Sequence, residues 1–256
     1  MKGGMEDDVD PMALIESIEK LTTETQVMAV TQRCIRAIGA EHFVYTSFLG
    51  DSDDPEKESR RFLIGCAPAW CQMYNLRKWY EIDPYVTYSR SHNTAPVFGS
   101  EIKAETPGQI ELLKAASENG FTSTIVVPVH TGNVRHMGML YAGSSMPQET
   151  GEPVLRRNRS LFRLLAGALL DWWIVRVREE AIATYQLEQQ EVLVLKLALE
   201  GLAAKQKAEE LGVPVRTIYT LYQKIKNKFS VEDIREAARI ANARGILNYM
   251  GRSAAC

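Results

Sequence analysis

The sequence predicts an α+β protein in two parts: an N-terminal α/β/α sandwich around an antiparallel sheet, and a C-terminal all-α helix-turn-helix domain. Three observations carry this. Strand-like runs come in consecutive hairpin-like pairs with helical patterns before and after them, which fits a sheet covered by helices better than a Rossmann unit. In the last third, Leu187 to Leu247, two short helical patterns meet at LGVPVRT. Charge is divided too: Tyr185 to Cys256 holds eight acids and eleven bases, about +3, whereas the whole chain is −2. A chain of 256 residues ordinarily makes about two domains; the patterns divide this one into residues 1–177, a connection at 178–186, and residues 187–256.

Taken in order, Met12 to Ile38 is a helical stretch, and Phe43 to Leu49 and Arg61 to Gly65 read as strands. A polar, aromatic-rich helical segment follows, then two further strands, Ser123 to His130 and His136 to Ala142, flanking a turn at Thr131-Gly132-Asn133. Leu155 to Val177 is a long helix with Leu161, Leu164, Leu165, Ala168, Trp172 and Val175 on one face. Arg178 to Gln186, without Gly or Pro, reads as a partly helical connection. Ala203 to Leu211 is a short helix, which Gly212 stops and after which Pro214 restarts the chain. In the helix from Val215, the apolar residues Ile218, Leu221, Tyr222, Ile225 and Phe229 share one face and should be buried. The opposite face presents Tyr219, Thr220, Gln223, Lys224 and Asn227, with Arg216, Lys226 and Lys228 at its margins. A last helix, Glu232 to Arg244, sets Ile234, Ala237, Ala238 and Ala241 on one side, small residues that permit close helix approach.

Several function classes are excluded or disfavoured. There is no apolar run of membrane-spanning length, and the start MKGGMEDDVD is acidic without an apolar signal region, so a cytoplasmic protein without membrane contact is expected. The cysteines Cys34, Cys66, Cys71 and Cys256 have no CxxC spacing, and the four histidines lie at no metal-ligand interval from them. His130 and His136 read as turn-flanking surface residues. No glycine-rich phosphate loop or nucleophile elbow is present, so neither an enzyme nor a metal or cofactor site is expected. Cys66 or Cys71 beside Asp83 has no recognisable base to activate it. Asp83 follows aromatic and charged residues, not the apolar strand that a phosphorylated receiver domain requires.

Two stretches remain open on their residues alone. The helix from Val215 lacks acids and carries side chains that read base edges and hold phosphates, yet a solvated surface helix has the same pattern. The run APAWCQMYNLRKWYEIDPYV contains Trp70, Tyr74, Trp79, Tyr80, Asp83 and Pro84. Asp83-Pro84 reads as an N-cap with proline in the first turn, and Trp70 and Tyr74 read as packing residues; a ligand site is the alternative.

Both stretches resemble LuxR-type regulators. In the C-terminal part the resemblance rests on Glu191, Leu195 and Gly201, then Ala208, Leu211-Gly212, Thr217-Ile218, Lys228 and Gly245-Ile246-Leu247, with Glu191, Leu195 and Gly201 as domain-core positions. It implies binding to double-stranded DNA, with Arg216, Lys224 and Lys228 on phosphates and Tyr219, Thr220 and Gln223 on bases beside Thr217. It also implies a homodimer paired through Glu232 to Arg244, a palindromic operator with half-sites ~34 Å apart, and the transcription machinery as a partner. The sequence departs from the pattern at Lys207, commonly apolar, and at Pro214, commonly a capping Ser.

In the N-terminal part Trp70, Tyr74, Asp83-Pro84 and Pro96 resemble the autoinducer-binding domain, which implies an N-acyl homoserine lactone as effector. The implied site is Cys66, Trp70, Tyr74, Trp79, Asp83, Phe98 and Tyr141, with Leu76, Trp79, Ile125 and Val127 enclosing the acyl chain. Cys66 stands where the family has a Tyr, Phe98 for a Trp, Thr124 for a Gly, and Tyr141 for a Ser or Thr. The hydroxyl lost at Cys66 is then expected from Tyr141 on the opposite wall. Ligand would stabilise the folded sensor and change its arrangement. The alternative is an orphan regulator of the same fold that is ligand-independent or answers another small molecule.

Overall fold

The computed structural model describes residues 10–49, 59–131 and 136–247. Gly132 and Asn133 of the expected turn, and Cys256, lie outside the described residues. The chain forms two compact units, which meet in sequence between Trp172 and Trp173.

The first unit opens with α1 (Pro11–Ser17) and α2 (Glu24–Ala37), not with one helix over Met12–Ile38. The break is chemical. Thr23 sits in an extended conformation, its hydroxyl accepts the Gln26 N–H, and the Gln26 side chain accepts the Thr23 N–H, a capping box that starts a new helix.

Five strands follow, β1 (His42–Leu49), β2 (Ser59–Gly65), β3 (Val97–Phe98), β4 (Ser123–His130) and β5 (His136–Ser144), in one antiparallel sheet of order β2-β1-β5-β4-β3. The register decides which side chains share a face, because directly paired residues point the same way. Ile64, Val44, Tyr141 and Val126 lie in one row across the sheet, as do Phe62, Thr46 and Met139. Leu63, Tyr45, Leu140 and Val127 lie in a row on the other face, all buried. Between the strands run α3 (Pro68–Leu76), α4 (Pro84–Ser91) and α5 (Pro107–Glu118). Tyr85 and Val86 of α4, with Trp70 of α3 and Leu112 of α5, pack on the Tyr141 face. α2 and α6 (Gln148–Arg157) pack on the strands from the other side.

Gly138 in β5 illustrates how closely that second face is filled. A Cβ there would overlap the hydroxyl of Tyr45, which is fully buried, and the Val129 side chain. Gly138→Ala is expected to cost about 1–3 kcal/mol, read as a lower urea midpoint at unchanged slope. An unchanged midpoint would show that Tyr45 can swing aside.

The expected long helix Leu155–Val177 is two helices, α6 and α7 (Arg159–Thr184). Asn158 separates them and anchors the junction by donating its side-chain N–H to the Ile38 carbonyl, 2.9 Å away. The buried face of α7 is also rotated from the expected one. Phe162, Leu165, Ala166, Leu169 and Trp172 are buried, whereas Leu164 is 48% exposed. The Trp172 indole N–H donates to the Leu21 carbonyl at 2.8 Å. From Arg178 the chain stays helical to Thr184.

The second unit adds α8 (Gln189–Leu199), α9 (Ala204–Leu211), α10 (Val215–Phe229) and α11 (Ile234–Ala243). Leu195, Ala208, Ile218, Ile225, Phe229 and Ala237 meet in its core. Gly212 ends α9 at φ +63, a left-handed conformation that costs a residue without Cβ nothing. Pro214 is the N-cap of α10 and not its first helical residue, so it gives no side-chain cap and the carbonyl of Pro214 takes the Thr217 N–H at 2.8 Å. The small residues expected to pair two chains are used within one: Ala237, Ala238 and Ala241 are buried, and α11 packs on α8. The solvent side of α11 carries Arg235, Glu236 and Arg239.

Candidate ligand cavity and nucleic-acid interface

Ile82 closes the short 3-10 turn Trp79–Glu81, and Asp83 after it caps α4, with Pro84 supplying the preset φ of the first helical turn. Its Oδ1 accepts the Tyr85 N–H and its Oδ2 accepts the Tyr74 hydroxyl, both at 2.7 Å. The cap and the ligand readings of Asp83 are therefore compatible, since a carboxylate has about four acceptor sites and the bonds from Tyr74, Tyr85 and Val86 do not fill them all. Burial pushes this carboxyl above its usual range, while the hydrogen bonds from Tyr74 and Tyr85 pull it back. Tyr74 reaches Asp83 because α3 places it one helical turn beyond Trp70, the two rings being 5.9 Å apart. Burial, followed by the Asp83 charge, holds the Tyr74 phenol protonated well above its ordinary range.

Trp70, Tyr74, Asp83 and Tyr141 all line one cavity of about 100 Å³ under the sheet face that carries Val44 and Thr46. Tyr141 stacks on Phe121 at 4.6 Å and lies 5.3 Å from Tyr85. Thr124, at the position where a glycine was expected, shares a hydrogen bond of 3.1 Å with the Tyr85 hydroxyl and so fixes that ring against the cavity.

Other expected wall residues are elsewhere. Trp79 is buried behind Trp70, ring to ring at 5.8 Å, and does not line the cavity. Phe98 pairs with Ile125 in β3 and lies under the Arg156 guanidinium, 3.9 Å from its ring centre, on the opposite face of the sheet. Ile125 and Val127 belong to that opposite face as well, and Leu76 at the end of α3 is 86% exposed, so none of these three lines the cavity. Cys66 is set back from the cavity, whereas Cys71 lines it. Wall residues that were not expected include Tyr85, Val86, Leu112, Met139 and Arg60. Met139 was recoverable from period-two alternation, being two residues from Tyr141 on one strand.

In the second unit, α10 exposes Arg216, Tyr219, Thr220, Gln223 and Lys224 along one face, with Tyr219 58% exposed and Thr217 at its half-buried edge. Thr220 already donates its hydroxyl to the Arg216 carbonyl at 3.1 Å, leaving oxygen lone pairs outward. Lys228, expected on phosphates, is engaged within the unit. Its ammonium lies 2.6 Å from Glu191 Oε2 and 2.7 Å from the Gln186 carbonyl, inside the unit. Glu191 is fully buried and also accepts the Glu188 N–H at 2.7 Å, closing the first turn of α8. Leu195 is in the core and Gly201 turns the chain after α8 at φ +83. Lys207 buries its stem and donates its ammonium to the Leu202 carbonyl and, at 2.9 Å, to the Tyr222 hydroxyl, which satisfies a cation where an apolar residue was expected.

An apolar cavity holding a buried carboxylate in one unit, and a helix-turn-helix with a cationic outer face in the other, define a small-molecule-sensing DNA-binding protein. Residues 23–171 match the autoinducer binding domain, and residues 186–241 match the bacterial regulatory proteins of the luxR family. The chain belongs to the LuxR-type regulators, with an autoinducer-binding domain and a helix-turn-helix DNA-binding domain. It is similar to the transcriptional regulatory protein YdfI of Bacillus subtilis, 42% identical over 62 residues, which are 24% of this chain and 29% of that protein. In fold it is similar to Escherichia coli SdiA, with TM-score 0.61, 16% identity, and 93% of this chain and 97% of that one covered. It is also similar to CepR2 of Burkholderia cenocepacia, an N-acylhomoserine lactone dependent LuxR family transcription factor. That match has TM-score 0.51, 16% identity, and covers 62% of this chain and 90% of that one. Among the described residues no helix is long and apolar enough to cross a membrane, and no group of three or more His, Cys, Asp or Glu is placed to hold a metal ion.

Proposed function

We propose that this chain is a cytoplasmic, homodimeric transcription regulator that binds an N-acyl homoserine lactone in the cavity beneath β1 and β5 and a palindromic operator through α10. It acts as a regulator and not as an enzyme. The observation that carries the reading is the convergence of Trp70, Tyr74 and Asp83 on one otherwise largely apolar cavity. An indole N–H only donates, which suits the lactone carbonyl, and an ionised carboxylate only accepts, which suits the amide N–H. Each buried methylene of the tail adds about 0.8 kcal/mol. Tyr141, facing the same cavity, supplies a hydroxyl for the amide carbonyl.

A second reading, a different acylated effector, is favoured by the cavity's hydroxyls. Thr46, Tyr85 and Tyr141 bring more hydroxyls to the cavity than a lactone amide needs. A structure of SdiA in complex with octanoyl-rac-glycerol has TM-score 0.62 and 15% identity to this chain, covering 96% and 98% of the two.

Calorimetric titration of the full chain with homoserine lactones of increasing acyl length, and with monoacylglycerols, tests both. One lactone binding at one per chain, weakened roughly tenfold or more by Tyr141→Phe in line with one lost buried hydrogen bond, is the expected result. Binding of the acylglycerols alone would transfer the reading to the second effector, and unchanged affinity in Tyr141→Phe would remove the hydroxyl from the account. On the DNA side, Arg216→Ala and Lys224→Ala are each expected to weaken binding equally across sequences and to reduce the salt slope by about 1, whereas Gln223→Ala should relax base preference by about 1–3 kcal/mol. Mobility shifts at several salt concentrations separate these outcomes.

A further inference from the structure

Two cysteines stand side by side at the wall of the first unit, Cys71 lining its cavity and Cys66 set back from it. Cys66 follows β2 directly and Cys71 is in the second turn of α3, so the chain doubles back between them. Their sulfurs are 3.5 Å apart and share a hydrogen bond, both residues are half-buried, and Cys71 faces the cavity beside Trp70. Closing that separation to a disulfide bond of about 2.05 Å needs a movement of about 1.5 Å, within the reach of side-chain rotation. The pair is also chemically asymmetric. The hydrogen bond between the two thiols lowers the Cys71 thiol below its ordinary value and raises Cys66. Cys34, in contrast, is buried without a thiol partner among the described residues, and burial pushes its thiol up to about 12. One low, accessible thiol next to a resolving thiol is the arrangement that supports selective oxidation.

We infer that Cys66 and Cys71 form an oxidisable dithiol that takes a hydroperoxide and closes to an intramolecular disulfide in the wall of the sensor cavity. The Cys71 thiolate attacks one peroxide oxygen, the O–O bond breaks, and hydroxide or alkoxide leaves, giving a sulfenic acid on Cys71. The Cys66 sulfur then attacks the Cys71 sulfur, the S–S bond forms, and the sulfenic oxygen leaves as hydroxide. The two thiol protons end on the two departing oxygens, as water with an alcohol or a second water. The dithiol is oxidised by two electrons and the peroxide reduced by two. A thiol reductant reverses the bond by exchange. The disulfide ties the end of β2 to α3 on either side of Trp70, which makes oxidation a second input to the unit, independent of which effector the cavity accepts.

The test uses the reduced full chain, one equivalent of hydrogen peroxide, quenching with iodoacetamide under denaturing conditions, and peptide mass spectrometry. Trypsin releases residues 62–77 with both cysteines on one peptide. This peptide should lose two hydrogens, take up no alkyl group, and recover both sites after dithiothreitol, while Cys34 remains alkylated throughout. In Cys66→Ser the same peptide should stop at oxygenated Cys71, and in Cys71→Ser the two-hydrogen loss should vanish. Full alkylation of both cysteines in the wild-type chain after peroxide, or a disulfide from either of them to Cys34 or Cys256, would overturn the inference.

Discussion

Lys228→Met is expected to remove about 3–5 kcal/mol from the stability of the C-terminal unit, the usual cost of stranding one partner of a buried ion pair. Glu191 has no solvent exposure, and Lys228 itself is only 25% exposed in its side chain. One Glu191 oxygen takes the Lys228 ammonium and the Glu188 N–H, and the other has no hydrogen-bond partner among the described residues. Removing the ammonium leaves a carboxylate where water cannot reach it. The same substitution also removes the Lys228 donor from the Gln186 carbonyl, in the turn before α8. Urea denaturation of the full chain should show an early transition for this unit. The double substitution Glu191→Gln with Lys228→Met should lose less than the sum of the single changes, because it removes both ends of the pair. Were Lys228→Met fully stable and deficient only in DNA affinity, the lysine would be a phosphate contact after all.

Asp83→Asn should leave the fold intact and weaken lactone binding roughly ten- to a hundredfold, the value of a charge-assisted hydrogen bond of about 1.5–3 kcal/mol. The asparagine oxygen can still cap the Tyr85 N–H, so helix α4 keeps its start; what is lost is the ionised acceptor. The pH dependence carries a second signature. Burial raises the Asp83 carboxyl above its unfolded value, so this group's contribution to stability is fully present below the ordinary carboxylate range and is lost as pH rises through the raised value. Wild type should therefore lose ground to Asp83→Asn as pH increases from about 4 upward. Melting temperatures of the two proteins across that range check the sign. A difference that moves the other way with pH would mean that hydrogen bonding outweighs burial at this carboxyl.

The strands and the helix-turn-helix were legible because each has one strong signal. In β1 and β5 it is run length, and in α10 it is an apolar stripe with a cationic opposite face. Thr23 and Gln26 form a readable capping box inside what passed for one helix. β3 is two residues long, too short for any period to register. The cavity wall was half legible. Trp70, Tyr74 and Asp83 lie on a local segment whose spacing fixes them relative to one another. Ile125 and Val127 do not, because β4 is buried on both faces and its sequence has no alternation to say which residues face the helices. Only the register, with Val126 beside Tyr141, settles that. Lys228 shows the same limit on a helix: its charge is visible in the sequence, but the burial of its partner Glu191, 37 residues away, depends on how α8 and α10 pack.

Ligand-controlled DNA binding is the centre of this account, and its most direct measurement is the dissociation constant of the full chain for an operator selected from random sequence, with and without the saturating homoserine lactone. Coupling between two sites of this kind is ordinarily worth about 1–3 kcal/mol. The predicted result is a dissociation constant that moves roughly 5- to 150-fold when the lactone is present, with roughly ten- to a hundredfold more lactone needed for the same movement in Asp83→Asn. A constant that stays the same in the wild-type chain while calorimetry shows the lactone bound would contradict it.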